Sequence, residues 1–149
     1  MSKQMSTAVG LVPLGIQFQR HGTQNWFWRG APESWLDRVV LSYSKVFLEQ
    51  IVPSESYRNP ERVRFWMRQI SQCRPIPPLI VCRTEGGQYY LQDGNHRYTA
   101  MQSLFGMDYQ GEIEVAELIP EPGFEFRRIE LGCSATGRYT TYVLVKQVG

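Results

Sequence analysis

The segment Asp93-Gly94-Asn95-His96-Arg97 has the residue types and spacing to do chemistry in this 149-residue chain. It joins a predicted strand to a predicted helix, and the first turn of a helix presents unpaired N–H groups and a positive dipole end to an anion. Gly94 permits a tight turn there. The guanidinium of Arg97 can hold a phosphate or a carboxylate through two hydrogen bonds. The segment therefore predicts a site for a phosphate-bearing ligand.

Helical periodicity places Arg97 on the inward face of this helix, because it precedes the apolar residues Ala100 and Met101 by three and four positions. A guanidinium on that face must be paired, either with a ligand phosphate or with Asp93. Both alternatives remain open at this point. In the second, a buried Asp93–Arg97 ion pair merely fixes the turn and His96 is a surface residue.

An arginine-rich helix is predicted after the segment Asn59-Pro60-Glu61, since Asn suits the N-cap, Pro the first helical position and Glu the positive helix end. Between residues 58 and 74, five arginines face a single acid. The five are Arg58, Arg62, Arg64, Arg68 and Arg74. With Phe65 on the outer face, this pattern is typical of contacts with single-stranded nucleic acid. A solvated basic surface is the alternative.

Charge and composition limit the classes of protein. Residues 1–75 hold ten basic against five acidic residues and residues 76–149 hold six against nine, so the N-terminal half favours an anionic partner. An apolar content of 42% is typical of a globular chain. We expect a cytoplasmic protein without a membrane span, because no long apolar run and no secretory segment is present. Cys73, Cys82 and Cys133 are too scattered for a disulfide framework or a zinc pattern.

The elements that must position these residues form a small α+β domain with a mixed sheet. Residues 1–45 are predicted as an aromatic arm, irregular or with a short strand, followed by a helix from Ala31 to Tyr43. Next come a strand over 46–52, a helix over 60–70, a hairpin of strands 78–82 and 88–92, a helix over 96–105 and a strand over 113–118. Residues 124–131 and 138–146 are predicted as a C-terminal β-hairpin.

Residues 46–119 resemble the ParB/sulfiredoxin fold. The matching features are Ile51-Val52-Pro53 at a strand end, the helix after Asn59-Pro60, the proline-rich lead-in at 74–78 and the motif Asp93-Gly94-Asn95-His96-Arg97-Tyr98-Thr99-Ala100. The resemblance implies a site that reads the phosphates of CTP, ATP or ADP. It leaves 1–45 as an N-terminal arm and helix, and 120–149 as a C-terminal hairpin extension of the same domain.

The resemblance also implies roles for individual residues. The expected phosphate-binding residues are Gly94, Asn95, His96, Arg97 and Thr99. Asp93 and His96 are the candidate catalytic residues, and Asp93 is the candidate ligand of a Mg²⁺ ion bound with a nucleotide. A kinase-like member needs a carboxylate base on or before the first helix, for which Glu55 and Glu61 are the candidates, ahead of Glu49. The alternative for Glu61 is that it simply favours the helix N-terminus.

Several functions compete under this resemblance. Sulfiredoxin activity is unexpected, because Asn95 stands where that branch has its catalytic cysteine, immediately before His96-Arg97. A partition clamp is unexpected because the residues after Pro120 are predicted as strands rather than a helix-turn-helix. A stand-alone domain remains, expected to bind nucleic acid or to hydrolyse a phosphodiester or nucleotide as a ParB-like nuclease. The alternatives are a nucleotide-dependent serine-type kinase and a non-catalytic protein-binding factor of a phage or mobile element. Expected partners are a nucleotide or nucleic acid, a protein bound through the aromatic arm, and a second copy of the chain in a homodimer.

Overall fold

The computed structural model describes the backbone of residues 4–7, 10–13, 16–53, 59–84, 87–106, 111–134 and 137–147. Its helices are α1 (Arg20–Gly30), α2 (Pro60–Ser71) and α3 (Asn95–Phe105). Its strands are β1 (Gln4–Thr7), β2 (Gly10–Pro13), β3 (Val39–Phe47), β4 (Ile51–Val52), β5 (Leu79–Arg83), β6 (Tyr89–Asp93), β7 (Glu112–Pro120), β8 (Phe124–Ser134) and β9 (Gly137–Lys146). The mixture of helices and strands confirms the predicted α+β class.

A five-stranded mixed sheet organises these elements, in the order β3-β7-β5-β6-β4. The β3–β7 and β5–β6 pairs are antiparallel, and the β7–β5 and β6–β4 pairs are parallel. Two further antiparallel pairs, β1–β2 and β8–β9, lie outside the sheet. The β8–β9 pair confirms the predicted C-terminal hairpin.

Each face of the sheet carries its own hydrophobic core, because alternate side chains of the central strands point to opposite sides. Val81 of β5 belongs to one cluster with Met101 of α3, on the face that α2 and α3 cover. Ile80 belongs to the other cluster, with Phe27 of α1 and Phe126 of β8. Thus α1 lies on one face of the sheet, and α2 and α3 lie on the opposite face.

The start of α2 follows the sequence signals closely. The side chain of Asn59 accepts hydrogen bonds from the backbone N–H of Glu61 at 2.9 Å and of Arg62 at 3.4 Å. Pro60 occupies the first turn, where its missing N–H needs no partner. The helices predicted over 60–70 and 96–105 are both confirmed, as are the strands predicted over 78–82, 88–92 and 113–118.

The helix predicted from Ala31 to Tyr43 is wrong, because this segment forms a short 3₁₀ turn at Glu33–Trp35 followed by β3. All nine residues of β3 pair with β7, beginning with Val39 opposite Pro120. The apolar spacing in this segment fits a helix, but Val39 and Tyr43 also lie on one side of an alternating strand. The apolar spacing alone fits both a helix and a strand. The backbone hydrogen bonds with β7, which is distant in sequence, stabilise the strand.

The N-terminal arm is more regular than predicted, because residues 20–30 form α1. This helix lacks the usual start signals: Gln19 at the N-cap makes no side-chain bond, and the first turn holds no acid. The arm does pack its aromatics on the body as predicted, with Phe27 buried and Trp26 half-buried. The side chain of Trp28 lies outside the described residues.

The strand predicted over 46–52 is interrupted. β3 ends at Phe47, a 3₁₀ turn spans Leu48–Gln50, and β4 covers only Ile51–Val52. The side-chain amide oxygen of Gln50 accepts a hydrogen bond from the backbone N–H of Phe47 at 2.8 Å, which stabilises the turn.

Among the helices that the structure describes, none is both long enough and apolar enough to cross a membrane.

Candidate functional site

A cleft of about 440 Å³ lies where β6 ends and α3 begins. Residues 92–97 line it from the β6–α3 junction, Gly22, Thr23 and Trp26 from α1, and Arg62 and Trp66 from α2. The cleft therefore collects residues from three helices that lie on both faces of the sheet. It contains the segment singled out in the sequence and adds one wall, from α1, that was not predicted.

Gly94 makes the turn from β6 into α3 sterically feasible. Its φ angle is +104°, a left-handed conformation that favours glycine. A Cβ atom here would lie 2.8 Å from Cδ2 of Leu79 and 2.9 Å from Nη2 of Arg97. Gly94 also provides no side-chain cap, and the first turn of α3 holds no acid. The positive end of this helix therefore faces the cleft without a protein carboxylate from its own first turn.

Arg97 is buried at the start of α3, with 6% of its surface exposed. Its Nη1 donates to the carbonyl oxygens of Pro77 at 2.7 Å and Pro78 at 3.0 Å, and its Nη2 donates to Oδ2 of Asp93 at 3.0 Å. Burial lowers the pKa of the Arg97 guanidinium, Asp93 opposes that shift, and the nearby charge of Arg62 adds to it. The inward orientation and the Asp93–Arg97 pair considered from the sequence are both present.

Arg62 is the second arginine that lines the cleft, and unlike Arg97 it is exposed. Its side chain is exposed, and it makes no salt bridge to a carboxylate within the described residues. It lies close enough to Arg97 for the two positive charges to interact. An anion between the two would relieve this repulsion, since opposite charges attract strongly at a partly buried site.

His96 connects the starts of two helices. Its Nε2 accepts a hydrogen bond from the backbone N–H of Asn59, the N-cap of α2, at 3.1 Å. The imidazole therefore holds the N-terminus of α2, and with it Arg62, against the N-terminus of α3. In this arrangement the Nε2 lone pair is engaged, so that His96 positions the cleft and does not present this nitrogen as a base.

The three predicted catalytic residues are not brought together. Asp93 and His96 line the cleft, whereas Glu61 lines a neighbouring pocket of about 360 Å³. Arg62 and Trp66 line both spaces and so lie between them. Glu61 sits in the first turn of α2, where its charge favours the helix N-terminus.

Thr99 does not belong to the described lining of the cleft. Its hydroxyl donates to the backbone oxygen of Asn95 at 2.9 Å, one turn earlier in α3. This bond engages the hydroxyl proton of Thr99, and the phosphate contact expected of Thr99 stays a prediction. Gly94, Asn95, His96 and Arg97 all line the cleft, as expected for the motif.

The predicted nucleic-acid contacts occupy a different surface from the cleft, apart from Arg62. Arg64, Arg68 and Arg74 are exposed, and none of them forms a salt bridge within the described part of the chain. Phe65 is 44% exposed beside them and packs edge-to-face on Trp66, with ring centroids 5.0 Å apart. Arg58 lies outside the described residues.

Sequence reasoning missed two polar residues of the cleft, Thr23 and Gln92. The hydroxyl oxygen of Thr23 and the amide oxygen of Gln92 are buried and have no hydrogen-bond partner in the described structure. Thr23 is 1% exposed. No local signal marks either residue, because their convergence depends on how α1 packs against the end of β6.

Metal and thiol chemistry find little support in the described residues. They contain no group of three His, Cys, Asp or Glu side chains that could hold a metal ion. The candidate metal ligand Asp93 uses one carboxylate oxygen for Arg97. Burial raises the pKa of the Cys82 thiol to about 12, which keeps this cysteine protonated and unreactive near neutral pH. Cys73 is half-buried.

Comparison with known proteins found no matching family model, no matching curated protein and no matching solved structure. The likeness to the ParB/sulfiredoxin fold thus depends on the motif at residues 93–100 and its sequence context.

Proposed function

We propose that this chain is a ParB/sulfiredoxin-like domain that binds a phosphate-bearing ligand, most simply a nucleotide, in the cleft at the start of α3. The guanidinium of Arg62, which has no carboxylate partner among the described residues, carries this proposal. It lines the cleft beside the buried charge of Arg97, at a helix N-terminus whose first turn contains no acid. Arg62, Arg97 and the N-terminus of α3 border the cleft, and the Asp93 carboxylate that also lines it is already paired with Arg97, so the remaining positive charge favours a phosphate group.

Arg97 and Arg62 have different roles in the proposed site. A guanidinium has five N–H donors, and three bonds from Arg97 already go to Pro77, Pro78 and Asp93. Arg97 therefore shapes the cleft and contributes charge, while Arg62 provides the bidentate contact to phosphate.

Ligand binding is the function that this geometry supports best, ahead of hydrolysis or transfer. The Nε2 atom of His96 is engaged by Asn59, and Oδ2 of Asp93 is engaged by Arg97. Neither of these two atoms is therefore positioned as the general base that a nuclease, nucleotide hydrolase or serine-type kinase needs, and Glu61 lines a separate pocket. Mg²⁺ bound with the nucleotide would reach Asp93 only through its remaining carboxylate oxygen. The scattered cysteines suit a cytoplasmic setting.

The test is a calorimetric titration with ATP, ADP, CTP and GTP, with and without Mg²⁺. We expect at least one nucleotide to bind the wild type and Arg62→Ala to weaken it by about tenfold or more, the effect of losing a charge-assisted contact. Arg68→Ala is the matched control, because Arg68 is an exposed arginine of the same helix that lies outside the cleft and forms no ion pair within the described ranges. Equal affinities of the two variants, or no binding by the wild type, would contradict the proposal.

Single-stranded nucleic acid is a second candidate, favoured by the exposed Phe65 between Arg64 and Arg68. Base stacking on an exposed aromatic contributes about 1–3 kcal/mol per base. We expect a labelled oligonucleotide to bind with an affinity that falls steeply with salt. Arg68→Ala should reduce the salt slope by about one, while Phe65→Ala should weaken binding without changing that slope. Salt-independent binding would contradict this second candidate.

A further inference from the structure

The strand β3 forms one edge of the five-stranded sheet, and its outer side has no strand partner within the described residues. The opposite edge is β4, which covers only two residues, whereas β3 covers nine. Short edge strands protect a sheet from pairing with another chain, and a long open edge invites such pairing. The β3 edge is therefore the one that can bind a further strand.

The hydrogen bonds beside β3 show which of its backbone groups point outward. The backbone N–H of Glu121 donates to the carbonyl of Arg38 at 2.7 Å, one position before the β3–β7 register begins. Hydrogen-bonded positions alternate along an antiparallel pair, so the even-numbered residues of β3 bond to β7 and the odd-numbered residues direct their N–H and C=O groups outward. Phe47 agrees with this, because its N–H donates to the side chain of Gln50.

The outer side of β3 combines open backbone groups with exposed apolar side chains. The outward-facing residues in the middle of the strand are Leu41, Tyr43 and Lys45. No hydrogen bond between described residues engages their backbone N–H or C=O groups. Near the two ends of the strand, Val40 is 62% exposed and Phe47 is 40% exposed. A long edge with these properties is a surface for association with another chain.

We propose that β3 pairs antiparallel with β3 of a second copy of the chain, about a two-fold axis at Tyr43, and so joins two sheets into one. This register pairs all nine residues of the strand and sets outward-facing positions opposite one another. Tyr43 lies opposite its own counterpart, and Leu41 of each copy lies opposite Lys45 of the other. Each of these three pairs can exchange two backbone hydrogen bonds, about six in all.

The sequence of β3 is complementary to itself in this register. Val40 lies opposite Val46 of the second copy, and Phe47 lies opposite its Val39, so both exposed apolar side chains gain an apolar neighbour. Lys45 is the only charged residue of the strand, and it faces a leucine rather than the lysine of the second copy. Because like charges do not meet, a second copy fits this edge. No residue of β3 belongs to the described lining of the cleft, so this surface is separate from the proposed phosphate site.

Engineered cysteines test the register. Ser42 lies opposite Ser44 of the second copy, at a pair without hydrogen bonds, where Cα atoms approach to about 4.5 Å and a disulfide can form. The double variant Ser42→Cys/Ser44→Cys should therefore yield more covalent dimer than the wild type when copper phenanthroline is added as oxidant, as seen on a non-reducing gel. Ser42→Cys alone is the control and should match the wild type, because residue 42 does not face its own counterpart. A covalent dimer in this control, or none in the double variant, would overturn the proposed pairing.

Sedimentation velocity of the full chain at increasing concentrations tests the association itself. We expect a reversible dimer with a Kd in the micromolar range or tighter. Val40→Lys should raise this Kd about tenfold or more, because it places a charge among apolar side chains of the interface. Ile129→Lys is the matched control, since Ile129 is an exposed apolar residue of β8, and it should leave the Kd unchanged.

The melting temperature provides a second measurement that also shows whether each variant folds. The melting temperature of the wild type and of Ile129→Lys should rise with protein concentration, whereas that of Val40→Lys should rise less. A monomer at every concentration up to hundreds of micromolar would overturn the proposal and would leave an extended segment of another protein as the strand that fits this edge. Equal dimerisation of Val40→Lys and Ile129→Lys would overturn it as well.

Discussion

Two groups of arginines in the described part of the chain balance their charge differently. In and around the sheet, five arginines each pair with a carboxylate at 2.8 to 3.1 Å. These are Arg20, Arg38, Arg83, Arg97 and Arg127. Along α2, Arg62, Arg64 and Arg68 have no such pair among the described residues. An arginine that is bonded to a carboxylate of the chain stabilises the fold, whereas an arginine without such a bond can bind an external anion.

The contrast is sharpest inside the cleft, where one arginine of each kind lines the same space. Arg97 is buried and bonded to Pro77, Pro78 and Asp93, whereas Arg62 is exposed and has no ion pair with any residue that the structure describes. Substitution of Arg97 should therefore lower stability, while substitution of Arg62 should lower binding.

Arg97→Ala should reduce the free energy of unfolding by about 3 kcal/mol, because it leaves Asp93 and the carbonyls of Pro77 and Pro78 without their partner. Urea denaturation followed by circular dichroism measures this loss. Arg62→Ala is the control and should change the free energy of unfolding by less than about 0.5 kcal/mol. Similar losses in the two variants would break the separation.

Gly94→Ala should destabilise the protein by about 2 kcal/mol, since it combines a strained left-handed conformation with a clash against Leu79 and Arg97. Gly123→Ala isolates the first component, because Gly123 has a φ angle of +95° and nothing within 4 Å of its added Cβ. We expect this control to lose about 1 kcal/mol. The melting temperatures of both variants provide the test. Equal decreases in melting temperature would indicate that Arg97 does not pack tightly against the turn at Gly94.

His96→Leu should reduce stability by about 1.5 kcal/mol, because the backbone N–H of Asn59 loses its acceptor. Affinity for a nucleotide should fall as well, since the start of α2 positions Arg62. His96→Gln keeps an acceptor at a similar distance and should recover most of both losses. Denaturation and titration measure the two effects separately. A His96→Gln variant as impaired as His96→Leu would indicate that the imidazole acts by other means.

Arg38→Ala should lower stability by about 0.5 kcal/mol, and this difference should shrink at high salt, because the Arg38–Glu121 pair is solvent-exposed. Arg68→Ala should lower stability by even less, since Arg68 has no carboxylate partner in the described structure. Denaturation at two salt concentrations distinguishes the variants. A larger loss for Arg68→Ala would reveal a structural role for α2 arginines.

The features predictable from the sequence are those set by near neighbours. The cap at Asn59, the turn at Gly94 and the i, i+4 pair of Asp93 and Arg97 each depend on residues within one helical turn. Whether Arg97 binds a ligand or only fixes the turn was open in the sequence, because the answer depends on the carbonyls of Pro77 and Pro78, about twenty positions away.

The features that escaped prediction depend on contacts distant in sequence. β3 resembles a helix in its apolar spacing, and its pairing with β7 overrides that pattern. The helix α1 has neither a side-chain cap nor an acidic first turn, so its existence depends on packing of Phe27 against the sheet. Thr23 lines the cleft because α1 packs in this way, and no local sequence pattern predicts that packing.

The most direct test of the central claim is an NMR titration of ¹⁵N-labelled protein with AMP, following the backbone amides of residues 94–97. We predict saturable shifts concentrated at these amides, with a dissociation constant raised about tenfold or more in Arg62→Ala and unchanged in Arg68→Ala. Shifts that instead follow Arg64 and Arg68 along the outer face of α2, or that leave residues 94–97 unmoved, would contradict a phosphate site at the start of α3.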